Sequence, residues 1–366
     1  MNTASTKTLA WLLSKLSLLM LVSCLLLPVA KAEVMPDLYT SSWPVSDQSE
    51  SARNRALSNA FAQVLVRASG HEKVLNASAI KASLRDAASY MRLYSYQKLN
   101  FEEQKIYRKP LLLKVSFDPS AVTRLLKNSG QPVWNNNRPA GTYWIAVDNN
   151  GARKIAADGQ DGAAIAARKE ANSRGLPIIL PLMDLEDKSA ISAADVWGKF
   201  QEPVNKASKR YGADYVVMGS VSQAASGWQG SWVADLGSDT MRFTTSGASS
   251  QQAVAKMVNR VADRLATKLA VVLSNQTQTN YLLLQGIDSM QAYAKAQSIL
   301  SNLSMVSSVN AIEVKRGDVL FQLELQSATQ YLVDALEVSG NLRRSSGDLS
   351  DFSSNAPSAL IYSWRN

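Results

Sequence analysis

The sequence is nearly empty of the two residue types that carry much of enzyme chemistry. Among its 366 residues there is one cysteine and one histidine. A single cysteine excludes a disulfide framework, a Cys-x-x-Cys redox pair and a cysteine-rich zinc site. A single histidine excludes the two-histidine zinc site of HExxH proteases, and Leu75 stands where a second ligand would follow His71.

Signatures of acyl, phosphate and dinucleotide chemistry are missing or incomplete. The sequence has no Gly-x-Ser-x-Gly elbow, no Walker loop and no dinucleotide-binding Gly-x-Gly-x-x-Gly. Ser78 and Lys81 match Ser-x-x-Lys, but the companion motifs Ser-Asp-Asn and Lys-Thr-Gly are absent. Arg316, Gly317 and Asp318 predict a turn between two strands rather than an adhesion motif. We therefore expect no cofactor.

Residues 1–32 have the pattern of a secretory signal peptide. Lys7 and Lys15 precede the apolar run Leu16–Val29, no acidic residue is present, and Ala30–Ala32 supplies a small-x-small cleavage site. The run is shorter than the roughly 20 apolar residues that span a bilayer core. We expect cleavage after Ala32 and release into the periplasm.

Two alternatives would keep the chain at a membrane. The signal could remain uncleaved as an N-terminal anchor, or Cys24 could be lipidated, because Leu21–Cys24 resembles a lipobox. The apolar run continues through Leu25–Leu27, which favours an ordinary apolar role for Cys24. Membrane contact is expected only in these two cases.

Cleavage would leave a mildly basic chain without a thiol. Removing residues 1–32 takes three lysines and no acid from the net charge of +9, which leaves +6. The cations are spread along the sequence and are not gathered in the blocks typical of nucleic-acid binding. The expected partner is therefore an envelope protein or an anionic envelope polymer, and no nucleic acid.

The hydrophobic periodicity predicts a fold of the α/β and α+β class. Three small serial domains are expected at residues 33–137, 140–274 and 279–342, followed by a Ser-rich tail at 343–366. In the first domain, apolar residues three or four apart predict a helix over 49–68 that ends at Gly70. The stretch Gln131–Pro139 has the composition of a linker.

The two later domains differ in their predicted topology. The central domain alternates strand and helix, which favours parallel strand pairs. It contains a predicted strand over 176–182 and a predicted helix over 193–211 with a break near Pro203. The third domain has the strand-helix-strand-strand-helix order of a ferredoxin-like unit. In the tail, Leu360–Trp364 could add an edge strand.

Five stretches carry a family resemblance: Ala52–Gly70, Gly130–Trp134, Leu180–Asp187, Asp195–Gly198 and Arg210–Val221. Together they resemble a bacterial domain-of-unknown-function family, DUF2066, over nearly all of the chain after residue 32. That name implies no activity. The strand in the last stretch, the Trp-bearing hairpin after it and a long closing helix are similar to TolB N-terminal domains and to curli-secretion and penicillin-binding-protein-activator lipoproteins. The first domain is similar to the N-terminal domain of the flagellar assembly protein T. These likenesses imply a non-catalytic envelope scaffold.

Asp184, Glu186 and Asp187 form the best group of candidate catalytic residues. They follow the predicted strand over 176–182, and ligands of open α/β sheets tend to bind beyond strand ends. Clustered carboxylates can hold Ca²⁺ or Mg²⁺, or act as a general acid and base. They can also cap the next helix from a solvated loop, and the pattern favours that structural role.

Trp197, Trp228 and Trp232 are the candidate binding residues. Trp197 could anchor a partner or a glycan, and Trp228 and Trp232 are four residues apart and so share one face of a strand. Their spacing favours core packing for all three. The sequence thus predicts a non-catalytic periplasmic interaction or scaffold protein. The alternatives are a carboxylate- or divalent-metal-dependent hydrolase centred on the three acids, and a small-ligand binder that uses the tryptophans.

Overall fold

The computed structural model describes residues 37–134, 138–237, 239–338, 341–346, 352 and 359–365. The predicted signal peptide with Cys24, its cleavage site and half of the predicted tail lie outside these residues. No helix of the described part is long and apolar enough to cross a membrane. Helices and several sheets alternate along the chain, which confirms the predicted mixed α/β class. The division into three serial domains stays a prediction.

The first segment builds an antiparallel sheet covered by a long helix. Its strands are β1, Thr40–Val45; β2, Met91–Lys98; and β3, Leu111–Phe117, in the order β1-β3-β2. Helix α1, Glu50–Ser69, begins at the Ser49 cap, packs its apolar stripe on the sheet and ends at Gly70. This confirms the predicted helix. Gly70 has a φ of 79°, and a Cβ there would lie 2.7 Å from the Cβ of Ala266, so only glycine fits.

Three shorter helices and a short strand complete this segment: α2, Ser78–Arg85; α3, Phe101–Tyr107; α4, Pro119–Asn128; and β4, Pro132–Val133. Helix α4 begins directly after Asp118, because the Asp118 carboxylate accepts hydrogen bonds from the N–H groups of Ser120 and Ala121. Helix α3 was not predicted.

The central segment is a six-stranded mixed sheet. Its strands are β5, Gly141–Asn149; β6, Ala152–Ile155; β7, Ile178–Ile179; β8, Tyr215–Ala224; β9, Gly227–Asp235; and β10, Thr240–Gly247. The order is β10-β9-β8-β5-β6, and β7 also pairs with β5. Strand β5 runs parallel to both β7 and β8, which confirms the predicted parallel pairs.

Helices cover both faces of this sheet: α5, Gly162–Arg174; α6, Leu185–Ala190; α7, Ala193–Gly198; α8, Gln201–Ser208; and α9, Ser250–Leu269. Alternate residues of β5 enter different cores. Tyr143 and Ile145 pack in the core that contains α5 and α9. Trp144 and Ala146 pack in the core that contains α7 and α8. This alternation follows from the two-residue period of a strand.

The strand predicted over 176–182 is much shorter in the structure. Only the two residues of β7 pair with the sheet. Pro177 and Pro181 flank them, and proline has no N–H with which to extend a ladder. The strand predicted from the apolar residues is therefore too long, because the two prolines limit the pairing of this segment with the sheet.

The helix predicted over 193–211 is broken at a different residue from the one expected. Lys199 adopts a φ of 58° and ends α7, and α8 then starts at Gln201. Pro203 lies in the first turn of α8, where a missing N–H leaves no helical hydrogen bond unmade. The predicted break near Pro203 is thus wrong by one turn.

The third segment is a five-stranded sheet with two helices. Its elements are β12, Gln278–Gln285; α10, Met290–Ser301; β13, Val306–Lys315; β14, Asp318–Leu325; α11, Thr329–Val338; β15, Leu342–Arg344; and β16, Ala359–Trp364. The short β11, Val271–Val272, precedes them. The order of the first five elements is the one predicted, and Arg316 and Gly317 form the predicted turn with positive φ values.

The end of the chain adds an inner strand to this sheet. The strand order is β13-β14-β12-β16-β15, so β16 lies between β12 and β15. Tyr362 is fully buried, and Leu360 and Trp364 pack against the same core. The prediction of an edge strand at Leu360–Trp364 is right about the strand and wrong about the edge, because an apolar alternation does not specify which neighbours pair with it.

Candidate functional site

The loop that carries Asp184, Glu186 and Asp187 follows β7 and starts helix α6. Met183 turns the chain with a φ of 54°. The side chain of Asp184 then caps the helix, since its Oδ1 accepts a hydrogen bond from the Asp187 N–H at 3.0 Å. The predicted capping role is thus seen for Asp184, whereas the prediction that the acids lie in a solvated loop is wrong for Asp187, which is buried because it packs against Arg210 and Tyr211.

A single arginine from a later turn contacts all three acids. Arg210 lies in the 3₁₀ turn Lys209–Tyr211 that follows α8. Its guanidinium reaches both oxygens of Asp184 at 2.9 and 3.0 Å, and Oδ1 of Asp187 at 2.8 Å. Glu186 Oε2 lies at 3.4 Å. Hydrogen bonding to Arg210 lowers the pKa of the Asp184 carboxyl well below its ordinary range, and the same contact raises the pKa of Arg210.

Asp187 is fully buried and both of its oxygens have partners. Its Oδ1 is held by Arg210, and its Oδ2 accepts hydrogen bonds from the Tyr211 hydroxyl at 2.6 Å and the Met183 N–H at 2.9 Å. The Tyr211 oxygen accepts in turn from the Leu182 N–H at 3.2 Å. Burial, followed by the bond to Asp187, raises the pKa of Tyr211, so this hydroxyl stays a donor at neutral pH.

These contacts join the acidic loop after β7 to the 3₁₀ turn after α8. A carboxylate bound to a guanidinium is a weak general base, because its pKa is low. A cation would have to compete with Arg210 for the same oxygens of Asp184 and Asp187. Within the described part of the chain, no group of three or more His, Cys, Asp or Glu side chains is arranged to hold a metal ion. The geometry therefore supports a structural tie between the loop after β7 and the turn after α8.

The three candidate tryptophans are not brought together. Trp232 is buried, and its indole N–H donates to Thr245 Oγ1 at 2.8 Å. Trp228 is half-buried and packs against the same core, so the two share the inner face of their hairpin. Trp197 packs against the core on the other face of the sheet, and the Arg153 guanidinium lies 4.1 Å from its ring. The buried position of Trp232 suits core packing and offers no open face for a ligand.

Sequence analysis missed three buried arginines that join the first and central segments: Arg67, Arg138 and Arg174. The terminal nitrogens of Arg138 donate to four backbone carbonyls, those of Arg67, Trp134, Arg174 and Gly175. Its guanidinium also lies 4.1 Å from the Trp134 ring. Burial lowers the pKa of Arg138 to about 9, which leaves it charged at neutral pH.

Arg174 connects the same junction to α9. It donates to Asn259 Oδ1 at 2.7 Å, to Asp263 Oδ1 at 2.6 Å and to the Gly70 carbonyl at 2.8 Å. Arg67 and Arg174 both lie in the last turn of a helix that stops at a left-handed glycine. This shared pattern is the one sequence feature that could have indicated the buried arginines. A basic residue in the last turn of a helix is, however, more often explained by the helix dipole.

The described part of the predicted linker Gln131–Pro139 belongs to this junction. Strand β4 pairs with β11. Trp134 is buried, and its backbone N–H donates to the Ala68 carbonyl at 2.7 Å. The linker prediction is wrong for these residues. Proline and asparagine gave the stretch a loop-like composition, but Val133 and Trp134 supply enough apolar surface to anchor it.

A second missed feature is an exposed stretch between β2 and β3, which we call the α3 segment, Lys98–Lys109. Helix α3 has no buried residue at all. Phe101 and Ile106 expose 72% and 76% of their surface, and Tyr107 is also exposed. The signal in the sequence was Asn100 with Glu103, which form a reciprocal capping box at the start of the helix.

The α3 segment is also basic at its surface. Its four cations, Lys98, Lys105, Arg108 and Lys109, are all exposed. Its two acids already have partners, because Glu102 pairs with Lys105 at 2.9 Å and Glu103 belongs to the capping box. Exposed apolar side chains and unneutralised positive charge therefore occur together in twelve residues of chain.

Comparison with known proteins finds a similarity for part of the chain. A family model described as "Domain of unknown function (DUF8605)" matches residues 32–135. The match covers the first segment, including the α3 segment, and less than half of the chain. No curated protein matches the sequence. This family differs from DUF2066, so the resemblance to DUF2066 and the likenesses to the TolB, curli-secretion, penicillin-binding-protein-activator and flagellar modules stay predictions.

Proposed function

We propose that the chain is a non-catalytic interaction protein, exported to the periplasm after cleavage at Ala32, that docks on an envelope component through the α3 segment. One observation carries the proposal. Of the thirteen large apolar side chains exposed in the described residues, three, Phe101, Ile106 and Tyr107, lie in the α3 segment, and two more, Leu93 and Tyr94, lie in the preceding strand β2. Apolar residues gathered on a surface mark interaction sites, whereas single ones need no explanation.

The contacts of the acidic loop support the non-catalytic part of the proposal. A hydrolase centred on Asp184, Glu186 and Asp187 needs at least one acid free to move a proton or hold a cation. Instead, Arg210 contacts all three, and Asp187 is enclosed by Tyr211 as well. These contacts account for the acids without a substrate.

Co-sedimentation of the purified chain with isolated bacterial envelopes tests the docking role. We expect saturable binding that the double variant Phe101→Ser/Ile106→Ser loses by at least tenfold in affinity, because the removed side chains supply the apolar contact. The matched control is Leu185→Ser/Met290→Ser, which changes two residues of 86% and 81% exposure elsewhere on the surface. The control should bind like the unaltered chain.

Two outcomes would contradict the proposal. Equal binding by the Phe101→Ser/Ile106→Ser variant and the control would remove the α3 segment as the docking surface. Loss of biological function in Asp184→Asn, at unchanged envelope binding and unchanged melting temperature, would favour the carboxylate-dependent hydrolase instead.

A further inference from the structure

We propose that the α3 segment binds an anionic lipid surface, with Phe101 and Ile106 entering the headgroup region while the neighbouring cations contact the lipid phosphates. This inference rests on the proposed docking function and adds the chemistry of its partner. The chain would then contact a membrane without an uncleaved signal and without a lipid on Cys24.

No residue of helix α3 is buried. A seven-residue helix has little stability of its own in water, and most protein helices are stabilised by packing an apolar face. Here the three large apolar side chains of the helix, Phe101, Ile106 and Tyr107, all face solvent instead. Covering them by a partner would add the apolar burial that the free chain lacks.

The exposed apolar side chains of the α3 segment have basic residues near them in the chain. The Lys105 ammonium lies 4.2 Å from the centre of the Phe101 ring and is paired with Glu102, so the uncompensated positive charge of the segment comes from its other three cations. Lys98, Arg108 and Lys109 make no ion pair within the described part of the chain. Exposed apolar side chains together with exposed basic residues are typical of segments that lie in the interface of anionic membranes.

The shape of the segment separates lipid from the other possible partners. None of the principal clefts of the described residues is lined by a residue of the α3 segment. The exposed side chains of the segment are therefore suited to enter a partner's surface. A polyanionic glycan would satisfy the cations but has no apolar interior for Phe101 and Ile106. An anionic bilayer supplies both.

The topology permits this contact. The segment joins β2 to β3 at the end of their hairpin, where Lys98 pairs with Leu111, and β2 is an edge strand of its sheet. A flat surface can approach a hairpin end without displacing the helices that cover the sheet.

Binding to lipid vesicles tests the inference. The probes are vesicles of phosphatidylcholine alone and of equal parts phosphatidylcholine and phosphatidylglycerol, in 50 and 500 mM salt. We expect at least tenfold tighter binding to the anionic vesicles at low salt, and weaker binding at high salt because salt screens the cations. Phe101→Ser/Ile106→Ser should lose at least tenfold. Arg108→Ala/Lys109→Ala should lose about 25-fold, at about fivefold for each cation.

Leu185→Ser/Met290→Ser should bind like the unaltered chain, and all variants should keep its melting temperature because the changed residues are exposed. Equal binding to both vesicle types, or unchanged binding by the Arg108→Ala/Lys109→Ala variant, overturns the inference. Binding to whole envelopes without binding to vesicles overturns the lipid partner and leaves the docking function standing. Binding to neither overturns both.

Discussion

Positive charge occurs in two opposite settings in this protein. At the junction of the first and central segments, Arg67, Arg138 and Arg174 are buried and donate to backbone carbonyls and acids. In the α3 segment, Arg108 and Lys109 are exposed and make no ion pair among the residues described. A buried cation and an exposed cation each add one positive charge to the net charge of the chain. The surroundings of each cation therefore distinguish a structural role from a binding role.

Arg210 shows a third setting, between these two. Its guanidinium is partly exposed, yet it is fully engaged by Asp184 and Asp187. The same residue type that stabilises the junction by binding carbonyls stabilises the acidic loop by binding carboxylates. This comparison predicts that changes to the buried arginines of the junction or to the Arg210 contacts lower the free energy of unfolding. Changes to the exposed cations of the α3 segment should lower only the affinity for a partner.

The largest expected effect is at the junction. Arg138→Met should lower the free energy of unfolding by about 3–5 kcal/mol, because it leaves four carbonyls without a donor in a buried site. Urea unfolding of the whole chain measures this. The matched control, Arg108→Met, should change it by less than about 0.5 kcal/mol. Similar losses for both variants would break the distinction between buried and exposed cations.

A smaller effect is expected in the acidic loop. Asp187→Asn should lower the free energy of unfolding by about 1–3 kcal/mol, since an amide NH₂ would face donors that now bind a carboxylate oxygen. Its control is Glu186→Gln, a change at an exposed acid, with an expected effect below about 0.5 kcal/mol. Envelope binding should survive both changes. An Asp187→Asn variant with normal stability but no function would instead support a catalytic acid.

Local signals predicted much of the fold. The Ser49 cap and the Gly70 stop delimit α1, and Asp118 followed by Pro119 marks the start of α4. Each of these features is decided within one or two turns of chain, where hydrogen bonding and φ preferences act directly. The capping box of α3 belongs to the same class, so that helix could have been predicted as well.

The errors and omissions concern contacts between residues that are distant in sequence. Asp184 is 26 residues from Arg210, and no local pattern indicates that the two meet. The Arg174 side chain bonds to the carbonyl of Gly70, 104 residues away. The inner position of β16 likewise depends on pairing with β12, which the alternation of apolar residues cannot specify. The sequence therefore indicated the three acids as a group, but neither the arginine that binds them nor the exposed α3 segment.

Hydrogen exchange tests the central claim, that the exposed α3 segment and not the acidic loop is the working surface. In the free chain, the amides of Phe101–Tyr107 should exchange fast because no buried packing protects their helix. After addition of envelopes, the account predicts slower exchange in the α3 segment and unchanged exchange in α6. Protection that appears around Asp184–Asp187, with the α3 segment still exchanging fast, would contradict it.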